Sequence, residues 1–302
     1  DNDLNTSDWK TMILPSYWKN TELSDVNGSV WFRKEINLPK SMTDKPAKLI
    51  LGRIVDADSA FVNGVFVGTI SYQYPPRRYN VPHNLLKEGK NVITVRVISN
   101  IGVGGFVPDK AYILYSGSDT INLQGEWKYK LGAKMEPLAQ QTFVRWKPTG
   151  LFNAMINPLL NYSIKGVAWY QGESNALRYK EYLNLFSTMT KDWRKRWKIG
   201  NFPLLYVQLP NYGDILNEPS DGAWAYFREE QLKALSVIPN SAMIVSIDSG
   251  EWNDIHPLNK KVIGIRLALA AQKIAYADKK IVHSGPIYKS MIIKNNKIIL
   301  QF

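Results

Sequence analysis

Cysteine is absent from the 302 residues, and histidine occurs only three times, as His83, His256 and His283. The first absence excludes disulfides, thiol nucleophiles and zinc–thiolate centres. It does not identify a compartment, because many secreted proteins also lack cysteine. The second leaves few candidates for any reaction that needs an imidazole. Long apolar runs are missing as well. No stretch approaches the ~20 apolar residues of a membrane-spanning helix, so no membrane span is expected. The first residues lack the basic-then-apolar pattern of a secretory signal.

What is present is ample material for packed cores. Hydrophobic residues make up 45% of the chain, and its length suits two ordinary domains. The formal charge is +12. Such a balance points either to an acidic partner or to a lysine-rich solvated surface. The basic residues are dispersed, which favours the surface reading and argues against nucleic acid. The densest group is Arg194-Lys195-Arg196 with Lys191 and Lys198. It falls at the end of a predicted helix, where cations suit the helix dipole.

The chain reads as two halves with different periods. Residues 1–120 are strands and turns: "SVWFRKEINLP", "AKLILGRIV", "SAFVNGVFVGTI" and "NVITVRVIS" are β-rich runs punctuated by Gly, Asn, Asp and Pro. Asn63-Gly64 between two such runs is a hairpin signal. Short strands at this spacing suggest a β-sandwich or jelly roll. Residues 121–148 read as a connection. From 149 to 285 strands and helices alternate, which argues for an α/β layer on a parallel sheet. The expected helices cover "LFNAMINPLLN" (bent or ended by Pro158), 177–197, 223–236 and 259–276, with strands at 166–170, "PLLYVQL" and "AMIVSID". In the helix over 177–197, Tyr182, Phe186, Met189, Trp193 and Trp197 share one face. Residues 286–302 read as the start of a further β element, with a hairpin about Asn295-Asn296.

In parallel α/β sheets ligands gather at the carboxyl ends of the strands. Three polar loops leave those ends, carrying "QGESN", "QLPNYGD" and "DSGEWNDIHP". His256 follows Asp254 by two residues and precedes Pro257. An aspartate can orient an imidazole and stabilise its protonated form, leaving the second nitrogen as a base. The alternative is that His256 serves only the start of a helix. Gln171 and Gly172 offer an amide and a bare N–H that suit an oxyanion, and Glu173 suits a substrate hydroxyl. The alternative is a tight strand-to-helix turn. Ser174 does not fit the G-x-S-x-G nucleophile elbow, since Asn175-Ala176 follows it. Ser174 or Asn175 is instead expected to cap the long helix. His83 reads as a turn residue and His283 as structural. Arg77, Arg78 and Tyr79 follow Pro75-Pro76 on an expected loop, for packing or for contact with substrate.

Four blocks, "GVAWYQGESNA", "NFPLLYVQLPNY", "AWAYFREEQ" and "DIHPLNKKVIGIRLALAA", together resemble the sialate O-acetylesterases, serine esterases of the SGNH-hydrolase group. "GSVWFRKEINLP", "LGRIVDADSAFVNGVFVG" and "YPPRRYNVPHNLLKEGKNVITVRV" resemble the galactose-binding-like jelly roll inserted in many of these enzymes. The resemblance implies a flavodoxin-like three-layer α/β/α fold, incomplete at its N-terminal strand, plus the all-β jelly roll. It implies removal of O-acetyl groups from sugars, typically the 9-O-acetyl of sialic acid, through an acetyl-enzyme with no metal or organic cofactor, in a secreted or periplasmic setting. His256 would be the base and Asp254 its partner; Gln171, Gly172, Glu173 and Asn175 would hold the oxyanion or the substrate.

Two departures accompany it. The family's nucleophile lies in a G-Q-S-N block ahead of the jelly roll, and no such block occurs in these residues. The implied partner is therefore the missing N-terminal part of the same enzyme. Many SGNH enzymes also place Asp three residues before the histidine, where this chain has Asn253. Two other functions compete. Glu173 and Asp254 could serve as the carboxylate pair of a glycoside hydrolase. Alternatively, ten Trp and sixteen Tyr could stack sugars in a binding protein without catalysis.

Overall fold

The computed structural model describes residues 2–19, 21–101, 103–139 and 147–302. It divides into two compact units, Asp1–Thr142 and Phe143–Phe302. The class is mixed α/β, and antiparallel sheets are numerous. No helix among the described residues is long and apolar enough to cross a membrane.

Among the described residues the first unit holds twelve strands: β1 (Lys10–Leu14), β2 (Asn27–Leu38), β3 (Ala47–Leu51), β4 (Ile54–Val55), β5 (Ala57–Val62), β6 (Val65–Ile70), β7 (Arg78–Val81), β8 (Gly89–Ser99), β9 (Gly105–Phe106), β10 (Tyr112–Ser116), β11 (Asp119–Asn122) and β12 (Gly125–Met135). They form a six-stranded sheet in the order β1-β12-β2-β8-β5-β6 and a four-stranded sheet β11-β10-β3-β7, with β4 and β9 paired apart. Period-two alternation supplies the core. Val30, Phe32, Ile36 and Leu38 of β2 point inward with Val95 and Val97 of β8, and Leu49, Leu51 and Leu114 of the smaller sheet join the same cluster. Asn63 and Gly64 both take positive φ, 48° and 81°, between Val62 and Val65, which pair directly. That is the two-residue turn the dipeptide announced.

Two expectations are corrected here. The connection over 121–148 lies partly outside the described residues, but β12 within it is a full strand between β1 and β2. Trp127 and Tyr129 alternate into the core while Lys128 and Lys130 point away, so the stretch carries a strand period. Of Arg77, Arg78 and Tyr79, only Arg77 is on the expected loop. Arg78 and Tyr79 lie in β7, and Arg77 is fully buried just before it. Its Nε donates to Asp58 Oδ1 at 2.7 Å, and Tyr79 Oη donates to Asp58 Oδ2 at 2.7 Å. The remaining guanidinium nitrogens donate to the carbonyls of Gln73, Pro75 and Asp56. His83 stands exposed in a turn, as expected.

The second unit holds β13 (Val167–Trp169), β14 (Leu204–Val207) and β15 (Ser241–Ile244) in a parallel sheet in that order. Between and after them run α1 (Tyr179–Trp197), α2 (Ala223–Val237) and α3 (Lys260–Ile274). β14 shows how the layers arise. Leu204 and Tyr206 pack into one cluster with Tyr182 and Phe186 of α1 and Phe227 and Ala234 of α2. Leu205 and Val207 pack into another with Ile263 and Ala270 of α3. Adjacent residues of a strand face opposite ways, so a continuous apolar run serves both faces. "LFNAMINPLLN" winds as a π turn over 152–156 and then a 3-10 turn at Pro158, and none of it is buried. The chain's last strands, β16 (Ser290–Lys294) and β17 (Lys297–Gln301), pair about Asn295-Asn296.

The basic run at the end of α1 differs from its expectation. Arg194 is buried, and its Nη2 donates to the carbonyls of Phe202 (2.7 Å) and Pro239 (2.8 Å). Arg196 pairs with Asp192. Part of the run is thus a structural clamp, and only its exposed members are the solvated surface that dispersed charge suggested.

Candidate active site

Each loop at the carboxyl end of the parallel sheet is shaped by its own sequence. After β13 the chain passes through Tyr170-Gln171 to Gly172, where a Cβ would stand 2.5 Å from Cε1 and 2.6 Å from Cζ of Phe227. Phe227 is a fully buried ring of α2, so this position accepts only glycine without displacement. A 3-10 turn over Glu173–Arg178 then leads into α1. Its polar groups are turned on one another. Gln171 Nε2 donates to Asn175 Oδ1 (2.8 Å), the Gly172 N–H to Glu173 Oε2 (3.0 Å), and the Asn175 N–H to Gly172 O (2.8 Å).

That turn overturns the capping expectation. α1 begins at Tyr179, its N-cap is Arg178, and no side chain caps it. Ser174 is exposed within the 3-10 turn, and the side-chain oxygen of Asn175 is taken by Gln171. The turn inserts a segment between the small polar residues and the helix proper, which local preference alone does not reveal.

The loop after β14 is anchored by a residue that sequence reasoning missed. Gln231 of α2 is fully buried. Its Oε1 accepts the Leu209 N–H at 2.8 Å and its Nε2 donates to Val207 O at 3.1 Å. Trp224 Nε1 donates to Pro210 O at 2.6 Å. Asn211 follows, with a buried Oδ1 that has no hydrogen-bond partner.

The loop after β15 is stitched to both neighbours. The Ser246 hydroxyl donates to Gln208 O, and the Gly213 N–H donates to Trp252 O at 2.8 Å. Gly250 lies against Asn211, where a Cβ would be 2.3 Å from the Asn211 carbonyl oxygen. Asp248 receives both Arg266 Nη atoms of α3, at 2.6 and 2.7 Å. This pairing pulls its carboxyl down to about 2. Further along, Asp254 is buried while His256 is exposed. Asp254 Oδ1 accepts the backbone N–H of His256 at 2.9 Å. This is an Asx-type turn that fixes the histidine's backbone against the carboxylate.

One cation joins the first loop to the third. Lys260, the first residue of α3, places its ammonium 4.8 Å from the centre of the Tyr170 ring. Burial lowers its proton affinity, while Glu173 and then Asp254 act in the opposite sense. The field of Lys260 therefore spans Glu173 on one loop and Asp254 on the other. The Tyr170 hydroxyl is buried without a partner, and burial together with the charge of Glu173 raises it. Both residues lie within the blocks that carry the resemblance, but neither is singled out there as a site residue. Their adjacency to Gln171 and to the start of a helix was the signal that could have found them.

His283 is placed elsewhere. It lines a cavity of about 330 Å3 beside β15, with Gln208, Met243 and Tyr288. Burial and the nearby Lys273 lower its proton affinity.

Comparison with known proteins bears on this same part of the chain. The family described as carbohydrate esterase, sialic acid-specific acetylesterase, matches residues 138–273. The sialate O-acetylesterase of Mus musculus is 35% identical over 158 residues, covering 47% of this chain and 29% of that protein. The human sialate O-acetylesterase is 32% identical over 171 residues, covering 51% of this chain and 32% of that protein. The chain thus spans about three tenths of the length of these curated relatives. Among solved structures, a carbohydrate acetylesterase from Xanthomonas citri aligns at 23% identity and a TM-score of 0.47, over 87% of this chain and 80% of that one. All three loops of the candidate site lie inside 138–273, the segment that is similar to the carbohydrate esterase family of sialic acid-specific acetylesterases.

Proposed function

We propose that this chain carries the histidine half of a carbohydrate O-acetylesterase, acting on acetylated sugars of the sialic acid class, with the nucleophilic serine on a segment outside these 302 residues. The observation that carries the reading is the Asp254–His256 turn. A buried carboxylate bonded to the backbone of an exposed histidine stands at the carboxyl end of a parallel sheet, inside the family-matched segment.

The chemistry follows from those groups. The serine hydroxyl adds to the acetyl carbonyl while His256 takes its proton, and Asp254 favours the imidazolium. The tetrahedral intermediate collapses, the sugar oxygen leaves with the proton from His256, and an acetyl-enzyme remains. Water then repeats the sequence, releasing acetate and freeing the serine. Gln171, Gly172, Glu173 and Asn175 line the acyl side. Their amide donors, now turned inward on Asn175 and Glu173, would exchange those contacts for the oxyanion or a sugar hydroxyl.

The flavodoxin-like SGNH arrangement, with the β unit as an inserted jelly roll, goes with this reading. Among the described residues β13 pairs on one side only, with β14, and its Ala168 is exposed. A strand carrying a nucleophile would find an open edge there. A secreted or periplasmic setting suits a glycan substrate.

The test uses the complete gene product. His256→Ala should lower kcat/KM for acetylated sialic acid by about 10^3-fold, within the usual range for a general base. Ser174→Ala should keep a substantial part of the activity. Equal losses in both variants would make Ser174 the nucleophile, and aryl glycoside cleavage without acetate release would overturn the esterase reading.

A further inference from the structure

The proposed reaction leaves Lys260 without a task. Its ammonium lies over Tyr170 at 4.8 Å and makes no ion pair among the described residues, although Glu173 and Asp254 are near enough to be felt. The side chain stays open to solvent. An ammonium held against an aromatic face is partly stripped of water and has its other side free for an anion. Beneath it the Tyr170 hydroxyl is buried and has no hydrogen-bond partner. Buried hydroxyls are seldom left so unless a water or a ligand completes them. An ammonium at the first turn of α3 and an unmet hydroxyl beside Gln171-Gly172-Glu173 therefore lie together.

We infer that Lys260, seated on Tyr170, is a specificity-determining residue that receives the carboxylate of an acidic acetylated sugar while His256 works on its acetyl ester. The inference rests on the esterase reading and adds to it the group that distinguishes acidic from neutral sugars. Glu173 and Asp254 do not substitute for that carboxylate. Glu173 is engaged by the Gly172 N–H and Asp254 by the His256 N–H, and neither lies within ion-pair distance of the ammonium. An exposed face also explains why the cation is a lysine. A hydrated point charge on a flexible stem can follow a mobile ligand group, where a rigid guanidinium fork would demand one geometry.

The experiment measures acetate release by the complete gene product from O-acetylated N-acetylneuraminic acid and from its uncharged 1-carboxamide analogue. The wild type should prefer the acid by about tenfold in kcat/KM, the scale of one partly exposed charge-assisted contact. In Lys260→Met that preference should fall to near parity, chiefly through a higher KM for the acid. Lys260→Arg should retain much of it, which shows that the site still folds. Equal handling of acid and carboxamide by the wild type, or an equal loss on both substrates in Lys260→Met, would overturn the assignment. Wild-type hydrolysis of p-nitrophenyl acetate reports separately on the esterase reading. If it and acetate release are both absent, that reading fails and this inference fails with it.

Discussion

Two polar clusters, one in each unit, show opposite treatments of buried polar groups. Around Asp58 every partner is supplied from within. Both carboxylate oxygens are occupied, by Arg77 and Tyr79, and the guanidinium is completed by backbone carbonyls. At the carboxyl end of the parallel sheet, the Tyr170 hydroxyl and Asn211 Oδ1 are buried without partners, and Lys260 rests on a ring rather than on an acid. A closed network is a device for holding a fold, because leaving any member unpaired is costly. Open polar positions beside a histidine and an acid are what a site for a polar ligand requires. The sequence shows arginine and tyrosine together after Pro75-Pro76 and makes them look available. The structure reverses that impression and directs attention to Tyr170 and Lys260.

The comparison can be broken experimentally. The largest effect on stability should come from Arg77→Met, which strands the Asp58 carboxylate in the core. Denaturant unfolding followed by a probe in the β unit should show a loss of about 3–5 kcal/mol. A loss below 1 kcal/mol would mean that the closed network is not holding that core. Next in size, Gly172→Ala should cost about 1–3 kcal/mol by forcing the Phe227 ring aside and should reduce acetate release by displacing the loop. Normal activity would show that Gly172 tolerates a side chain, contrary to its packing.

The smallest effect separates the loop's fastening from its chemistry. Asp248→Asn removes the carboxylate that Arg266 holds, a half-exposed pair worth less than about 1 kcal/mol at neutral pH. Its sign with pH is determined. The folded carboxyl titrates at about 2 against an ordinary 3.8, so its stabilisation is complete above about 4 and is lost as the pH falls through about 2. The stability difference between wild type and Asp248→Asn should therefore shrink through that interval and vanish by about pH 1. A difference that persists at about pH 1, below both values, would place its origin outside this ion pair.

Much of the fold was legible because local and global signals agreed. The Asn63-Gly64 and Asn295-Asn296 turns, the shared face of Tyr182, Phe186 and Trp197, and the alternation from β13 to α3 all appear where periodicity put them. β12 was missed although Trp127 and Tyr129 alternate with lysines, because a region between two halves invites reading as a connection. The candidate site was legible as three polar loops and as the Asp254–His256 spacing, since those depend on neighbours in the chain. Arg194 was not, because its carbonyl partners come from Phe202 and Pro239.

By itself, then, the sequence determined the two kinds of unit, the turns, the strand and helix periods and the residues that could carry acid–base chemistry. Each of these is set by steric and solvation preferences acting over a few residues. Tertiary structure alone decided which polar groups are closed off and which remain open. Arg77 became core because β5 and its own loop enclose it, Ser174 was set aside by a 3-10 turn, and Lys260 reached Tyr170 across the sheet. The environment of a side chain depends on segments far away in the chain, and packing is what brings those segments into contact.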